Sequence, residues 1–325
     1  MEQQQDARDL HVPVLRDTCV ELLLPAFQVS DPVAIDGTLG MGGHAEALLS
    51  AQPNLRLIGI DRDRQALQLA GDRLARFGDR FVPFHGEYDR VDEVAREFGR
   101  RGQVDGILLD LGVSSLQLDD PERGFAYSRP APLDMRMDQS SGQSAAELLA
   151  TAPVGELTRI LREYGEEKFA RKIAQAIVRR RETEMLTTTA ELAELVKDVI
   201  PAPARRTGGN PAKRTFQALR IAVNDELGIL ERTLPRALDS LRVGGRLVVE
   251  SYQSLEDRIV KRTLAQGLKD TAPPGLPVVP EANRARLRAL VKGALKADPT
   301  EVAQNPRSQS VRLRAVELVA PWSQS

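Results

Sequence analysis

Residues 33–44 read Val-Ala-Ile-Asp-Gly-Thr-Leu-Gly-Met-Gly-Gly-His. A short apolar run ends in Asp36 and enters a glycine-dense turn. A second apolar run, Leu55–Ile60, ends in Asp61. Short apolar runs bounded by turn residues read as buried strands. Strands alternating with helices give a doubly wound, mostly parallel sheet, whose ligands lie beyond the carboxyl ends of the strands. Gly40, Gly42 and Gly43 let the backbone turn sharply and approach a ligand with no Cβ in the way. The helix that begins near His44 offers free N–H groups. Asp61 is placed to accept both hydroxyls of a ribose. An adenosine-containing cofactor follows, but not which one. Gly40-x-Gly42-x-x-Ala45 also fits the dinucleotide fingerprint, so a nicotinamide cofactor and S-adenosylmethionine (SAM) are nearly even on the loop alone.

Two details favour SAM. Asp36 precedes the loop, where a carboxylate suits the ammonium of an amino-acid moiety and repels a pyrophosphate. The fourth strand candidate ends in Leu108-Leu109-Asp110-Leu111-Gly112-Val113-Ser114-Ser115. Asp110, Ser114 and Ser115 thus stand where a reacting group belongs. After the third strand, Tyr88 is a candidate cover for the adenine face.

Strands are expected at Val33–Ile35, Leu55–Ile60, Phe81–Phe84 and Ile107–Leu111, with a helix over Arg62–Phe77. From Gln117 to Pro211 the alternation stops, and helices are expected over Ala145–Ala150, Val154–Glu182 and Thr188–Ile200. The sheet resumes at Arg246–Glu250 behind a Gly244-Gly245 turn. Ser254–Asp257 matches a capping box, and Val311 and Leu313 mark a last strand. The expected organisation is a core of residues 1–116 and 214–325 interrupted by a helical module, 117–213. In that module Asp134-Met135-Arg136-Met137-Asp138 reads either as a network of charge pairs holding the module on the core or as a pocket wall, with Arg136 meeting phosphate or base and the acids orienting it. Residues Arg205–Arg214, with Arg179, Arg180 and Arg181, form a candidate phosphate-binding surface. Phe216 and Gln217 are candidates for stacking and base reading, with the core the competing and favoured place for Phe216.

Composition narrows the class. The chain has 325 residues, 42% hydrophobic and 28% charged, with net charge −1. A globally basic nucleic-acid binder is excluded, although a local basic face is not. One cysteine excludes an internal disulfide and a cysteine-rich zinc site, and three scattered histidines suggest no metal centre. No run reaches the length of a membrane span and the first ten residues lack a signal-peptide core, so a cytoplasmic protein is expected.

The ordered motifs resemble the bacterial RsmH/MraW family over nearly the whole chain. They include His11–Leu15, Asp36–Gly40 with Gly42-Gly43-His44, Ile60–Asp63, Leu109–Ser115, Pro132–Asp138 and Tyr164–Glu167. Thr215–Ile221 with Asn224, Ser254–Lys261 and Asn305-Pro306-Arg307 complete the set. The resemblance implies a class I SAM-dependent methyltransferase fold with an inserted helical domain. It implies methylation of the exocyclic N4 of a cytosine in 16S ribosomal RNA, in the decoding region of the small subunit. SAM contacts carry over to Gly42, Gly43, His44, Asp61, Tyr88, Asp110 and Gln117. Asp134, Arg136, Asp138, Arg214, Asn224 and Gln253 are the expected substrate-facing set, and Asp110, Ser114 and Ser115 the candidates for orienting the amine. The small subunit or its precursor is the expected partner, with a homodimer left open. Three departures from the family stand out: Tyr252-Gln253 replaces the usual Phe-His, Leu116 replaces a proline, and Tyr88 is often Phe. Gln253 is therefore read as positioning a base rather than accepting a proton. The rival readings are a nicotinamide oxidoreductase and an assembly factor that holds SAM without turnover.

Overall fold

The computed structural model describes residues 13–126, 130–205, 210–272 and 279–323. His11, Val12, residues 206–209 of the basic loop and the side chains of Ser115 and Arg205 lie outside the described set. Two compact units emerge: residues 1–112 with 228–325, and residues 113–227.

The first unit is built on one seven-stranded sheet in the order β3-β2-β1-β4-β5-β7-β6. The strands are β1 (Val33–Asp36), β2 (Arg56–Asp61), β3 (Phe81–His85), β4 (Val104–Asp110), β5 (Leu241–Ser251), β6 (Leu287–Ala289) and β7 (Arg312–Leu318). The first five run parallel, and β7 is antiparallel to both β5 and β6. Every residue of β1 is buried, as are the first six of β4, so both read as continuous apolar runs rather than alternating ones. Strand order reverses between β1 and β4, which are direct neighbours. The loops leaving their carboxyl ends diverge there, and they are the Asp36 and Asp110 loops. Helices α1 (Arg16–Leu23) and α2 (Gly43–Ala51) share one core through Cys19, Leu23, Ala45, Leu48 and Leu49, with α3 (Arg64–Leu74) adding Ala70 and Leu74. Asp63 starts α3 by accepting the Gln65 N–H at 3.0 Å.

Three local expectations are corrected. Gly244 and Gly245 do not precede a strand but lie inside β5, where the register with β4 shifts between Val104 and Gly106. Gly244 at φ 87° supplies that irregularity. The helix near residue 254 starts one residue earlier than its capping-box pattern: the N-cap is Gln253, with Glu256 at N3. The first and last boundaries of the helical module also move, from 117 and 213 to 113 and 227. The reason is the helix Lys213–Asn224, whose Phe216, Ala218 and Leu219 belong to the helical core.

That second unit has its own core, drawn from Ala145–Thr151, Val154–Glu163, Ala170–Arg181, Thr189–Val199 and Lys213–Asn224. The single helix expected over Val154–Glu182 is broken. Glu166 takes φ 48°, the Glu167 N–H bonds back to Leu161 O at 3.1 Å, and the Glu167 carboxylate accepts the Phe169 N–H at 2.8 Å. Gly165 is needed at the break because a Cβ there would lie 2.6 Å from Arg214 O.

Candidate active site

The glycine turn is set by a carboxylate. Asp61 accepts the Gly40 N–H on Oδ2 and the Asp63 N–H on Oδ1, both at 2.8 Å. Each oxygen keeps a further lone pair, so a ribose diol fits on the remaining positions. Gly40 and Gly42 take φ 52° and 76°, conformations open to glycine, and Gly42 caps α2. Burial pushes Asp61 up to about 7 against the pull of its two backbone donors. Asp36 is only 1% exposed, accepts the Thr38 N–H at 3.1 Å and is pushed up to about 6 by burial, with His44 and Thr38 opposing. Tyr88 opens a short helical turn after β3, and its Cβ would lie 3.3 Å from a Cβ added at Gly37. It therefore borders the loop at Gly37.

Asp110 ends β4, and its N–H donates to Thr38 Oγ1 at 2.6 Å. The Tyr252 hydroxyl donates to Asp110 Oδ1 at 2.8 Å, which turns Oδ2 toward His44 Nε2 at 3.6 Å. The same His44 Nε2 lies 3.7 Å from Oε2 of Glu250, a residue paired in register with Asp110. Glu250 is fully buried, and its Oε1 accepts from Cys19 Sγ at 3.3 Å. Oε2 of Glu250 and both ring nitrogens of His44 are buried without a hydrogen-bond partner. Burial first, and then the charge of Asp110, raise the Glu250 carboxyl well above its usual range. Burial and Asp110 likewise raise the Tyr252 phenol. Sequence reasoning missed Glu250, Tyr252 and Cys19. The signal was present: like β1, β2 and β4, the apolar run of β5 closes on an acid.

Among the described residues, no Lys or Arg pairs with Asp36, Asp61, Asp110 or Glu250. A cluster of buried carboxylates without a cationic side chain asks for a ligand that brings its own positive charge. SAM brings a sulfonium, an ammonium and a ribose diol, and the residues fit it. A pyrophosphate beside buried Asp36 would be repelled.

The remaining predicted residues fall in two groups. Ser114 and Gln117 form a reciprocal capping box on the short helix Ser115–Asp119: Ser114 Oγ accepts the Gln117 N–H at 3.3 Å and Gln117 Oε1 accepts the Ser114 N–H at 3.1 Å. Gln253 likewise donates its amide to Glu256 at 3.0 Å, leaving Oε1 without a partner. In the helical unit, Arg136 is gripped by both oxygens of Asp134 at 2.7 and 2.9 Å. Burial would raise the Asp134 carboxyl, but Arg136 outweighs it and holds it low. Asp138 does not orient Arg136 by a hydrogen bond: it accepts from Ser140 and Ser141 and shapes a turn. Asn224, expected to face the substrate, is buried and engaged with backbone. It is 3% exposed and its side chain bonds Met137 N, Met135 O and Arg220 O, each at 2.8 Å.

Among the described residues, part of the basic surface is engaged within the fold. Arg180 pairs with Glu184, and Arg181 caps the carbonyls of Leu149 and Ala152. Phe216 is buried in the core, and Gln217 donates to Tyr164 O at 3.2 Å. Arg179, Lys213 and Arg214 remain exposed.

The MraW methylase family matches residues 8–319. The chain is 60% identical over 313 residues to a protein of Beutenbergia cavernae named ribosomal RNA small subunit methyltransferase H, covering 96% of this chain and 94% of that one. A protein of the same name from Frankia casuarinae is 58% identical over 309 residues, covering 95% and 96%. An rRNA methylase structure from Streptococcus thermophilus is 12% identical with a TM-score of 0.41 over 94% of each chain, too distant to add to this. The mostly parallel sheet, the charge-hungry loop cluster and the near full-length family match agree: the fold is that of a class I methyltransferase, the cofactor is SAM, and the chain belongs to the MraW methylase family.

Proposed function

We propose that this methylase transfers the methyl group of SAM to the exocyclic N4 of a cytosine in 16S ribosomal RNA, within the small subunit or its precursor in the cytoplasm. The observation that carries the reading is the poise of Asp110. It ends a central strand beside the cofactor loop, one oxygen is held by Tyr252, and among the described residues no Lys or Arg occupies the other. Relatives named as small-subunit rRNA methyltransferases support the RNA class.

When bound, SAM supplies a methyl group made electrophilic by its sulfonium. The chain must do the rest. A cytosine amine is a weak nucleophile because its lone pair is conjugated into the ring. Asp110 Oδ2 accepts one amine N–H, which favours a more tetrahedral nitrogen and aligns its lone pair; alignment is the main lever here. Tyr252 fixes the carboxylate plane for that task. Asp61 and the Gly40–Gly43 turn bind the adenosine half, and Asp36 faces the ammonium. The target base must leave its stack to reach a strand end. We assign RNA recognition to the helical unit, whose exposed Arg179, Lys213 and Arg214 offer phosphate contacts. Lys213 and Arg214 occupy the first turn of their helix, where the dipole already favours an anion.

The test is transfer of tritiated methyl to small subunits and to free 16S RNA, followed by nucleoside analysis. N4-methylcytidine is expected. Label on another nucleoside, or none on either substrate despite SAM binding, overturns the proposal. Asp110→Asn should cut turnover more than SAM affinity.

A further inference from the structure

The carboxylate cluster at the ends of β1, β4 and β5 has more negative capacity than the chain balances. Asp110 and Glu250 converge on one buried histidine, and the groups bonded to them, Tyr252 and Cys19, are themselves acids. Glu301 adds a further negative charge acting on Glu250 from the last helix. Two arginines on the neighbouring strand β7 are committed elsewhere: Arg312 and Arg314 pair with Asp257. The unpartnered atoms point at one another. His44 Nε2 faces Oδ2 of Asp110 and Oε2 of Glu250 at 3.6 and 3.7 Å, spacings that a shared proton would draw in to hydrogen bonds.

We propose that His44, Asp110 and Glu250 act as one proton reservoir, which takes up a proton when the sulfonium charge of the cofactor is lost and holds it until the spent cofactor leaves. This rests on the amine-methylation reading for its proton source. The balance is closed. The C–S bond breaks with its electron pair going to sulfur, and the amine lone pair forms the N–C bond. An N–H bond then breaks, its electrons stay on nitrogen, and the proton passes to Asp110 and is shared with His44 and Glu250. Before transfer the cofactor's cation balances the acids; afterwards the proton does. Glu250 and His44 are thus positioning residues that share the proton with Asp110, with the raised Glu250 carboxyl already favouring the protonated form.

The experiment needs no RNA. Calorimetric titration of the intact protein with SAM and with S-adenosylhomocysteine, in buffers of different ionisation enthalpy from pH 6 to 9, counts the protons exchanged on binding. S-adenosylhomocysteine should take up roughly half a proton or more beyond SAM. Sinefungin, which carries an ammonium where SAM has its sulfonium, should behave as SAM does; this separates the effect from the amino-acid end that all three share. Glu250→Gln and His44→Gln should each at least halve the difference, and Tyr252→Phe should move its midpoint to higher pH. Equal proton counts for all three ligands overturn the proposal. So does a wild-type difference persisting in whichever of these variants fold. If the linkage is present but no cytidine is methylated, only the reading of the target fails.

Discussion

Asn224 offers a sharp test of whether a residue serves the RNA or the fold. Its amide oxygen accepts the Met137 N–H, and its amide nitrogen bridges the carbonyls of Met135 and Arg220, all at 2.8 Å. The clamp ties the Pro132–Asp138 loop to the end of the helix Lys213–Asn224, and Met135 sits at φ 63° inside that loop. Asn224→Ala removes three bonds at about 1 kcal/mol net each and leaves the Met137 N–H and Met135 carbonyl buried without partners. The expected loss is about 3–4 kcal/mol. For a unit of this size that lowers its thermal transition by roughly 10 °C. Asn224→Asp keeps the acceptor but sets a carboxylate against two carbonyls, so it should be no better. Differential scanning calorimetry of the intact protein reads the shift, and hydrogen exchange at the Met137 amide reads the loop. A shift below about 2 °C, together with a tenfold loss of RNA affinity, would refute the clamp and return Asn224 to the substrate surface.

Other outcomes are as specific. Asp61→Asn should weaken SAM binding by about 10- to 100-fold, since charge-assisted bonds to the ribose are lost; unchanged affinity by equilibrium dialysis would sink that assignment. Gly124→Ala should destabilise the helical unit by more than about 2 kcal/mol, because a Cβ there meets Pro132 O at 2.2 Å at φ 72° and backbone cannot give way as a side chain can; urea unfolding reads it. Asp36 and Asp61, raised to about 6 and about 7 from 3.8, hold protons in the fold that the unfolded chain has released. The ligand-free protein should therefore lose stability as pH climbs from about 4 to about 7 through these two groups. Asp36→Asn should recover on the order of 2 kcal/mol at pH 8 while weakening SAM. Urea unfolding of both proteins at pH 5 and pH 8 checks the sign, and a variant no more stable than the parent at pH 8 contradicts it.

The core of the fold was legible because buried parallel strands leave a strong mark: β1, β2 and β4 are apolar runs closed by Asp36, Asp61 and Asp110. The same mark on β5 was seen only as a strand, and its closing Glu250 was passed over because register across a sheet is not written in local sequence. Pairing with Asp110 is a tertiary fact. Gly244-Gly245 misled for a related reason. Glycines that end a strand and glycines that bulge one look alike until the partner strand is known. In the helical unit, polarity alone could not separate Arg136, partly exposed and held by Asp134, from Asn224, engaged by backbone. The break after Glu163 was hidden because Tyr164-Gly165-Glu166-Glu167 has ordinary helical composition apart from one glycine, and the demand for that glycine comes from the distant Arg214 carbonyl.

The double duty of Asp61 has a consequence for selectivity. Each of its oxygens is already bonded to a backbone N–H, so each has one direction left for a ligand hydroxyl. A cofactor analogue lacking the 2′- or the 3′-hydroxyl leaves one of those directions facing carbon, and the loop cannot rearrange to fill it without releasing Gly40 or Asp63. With Asp61 holding the ribose as proposed, the site would count hydroxyls: deoxy analogues should bind more weakly to the same carboxylate that shapes the turn.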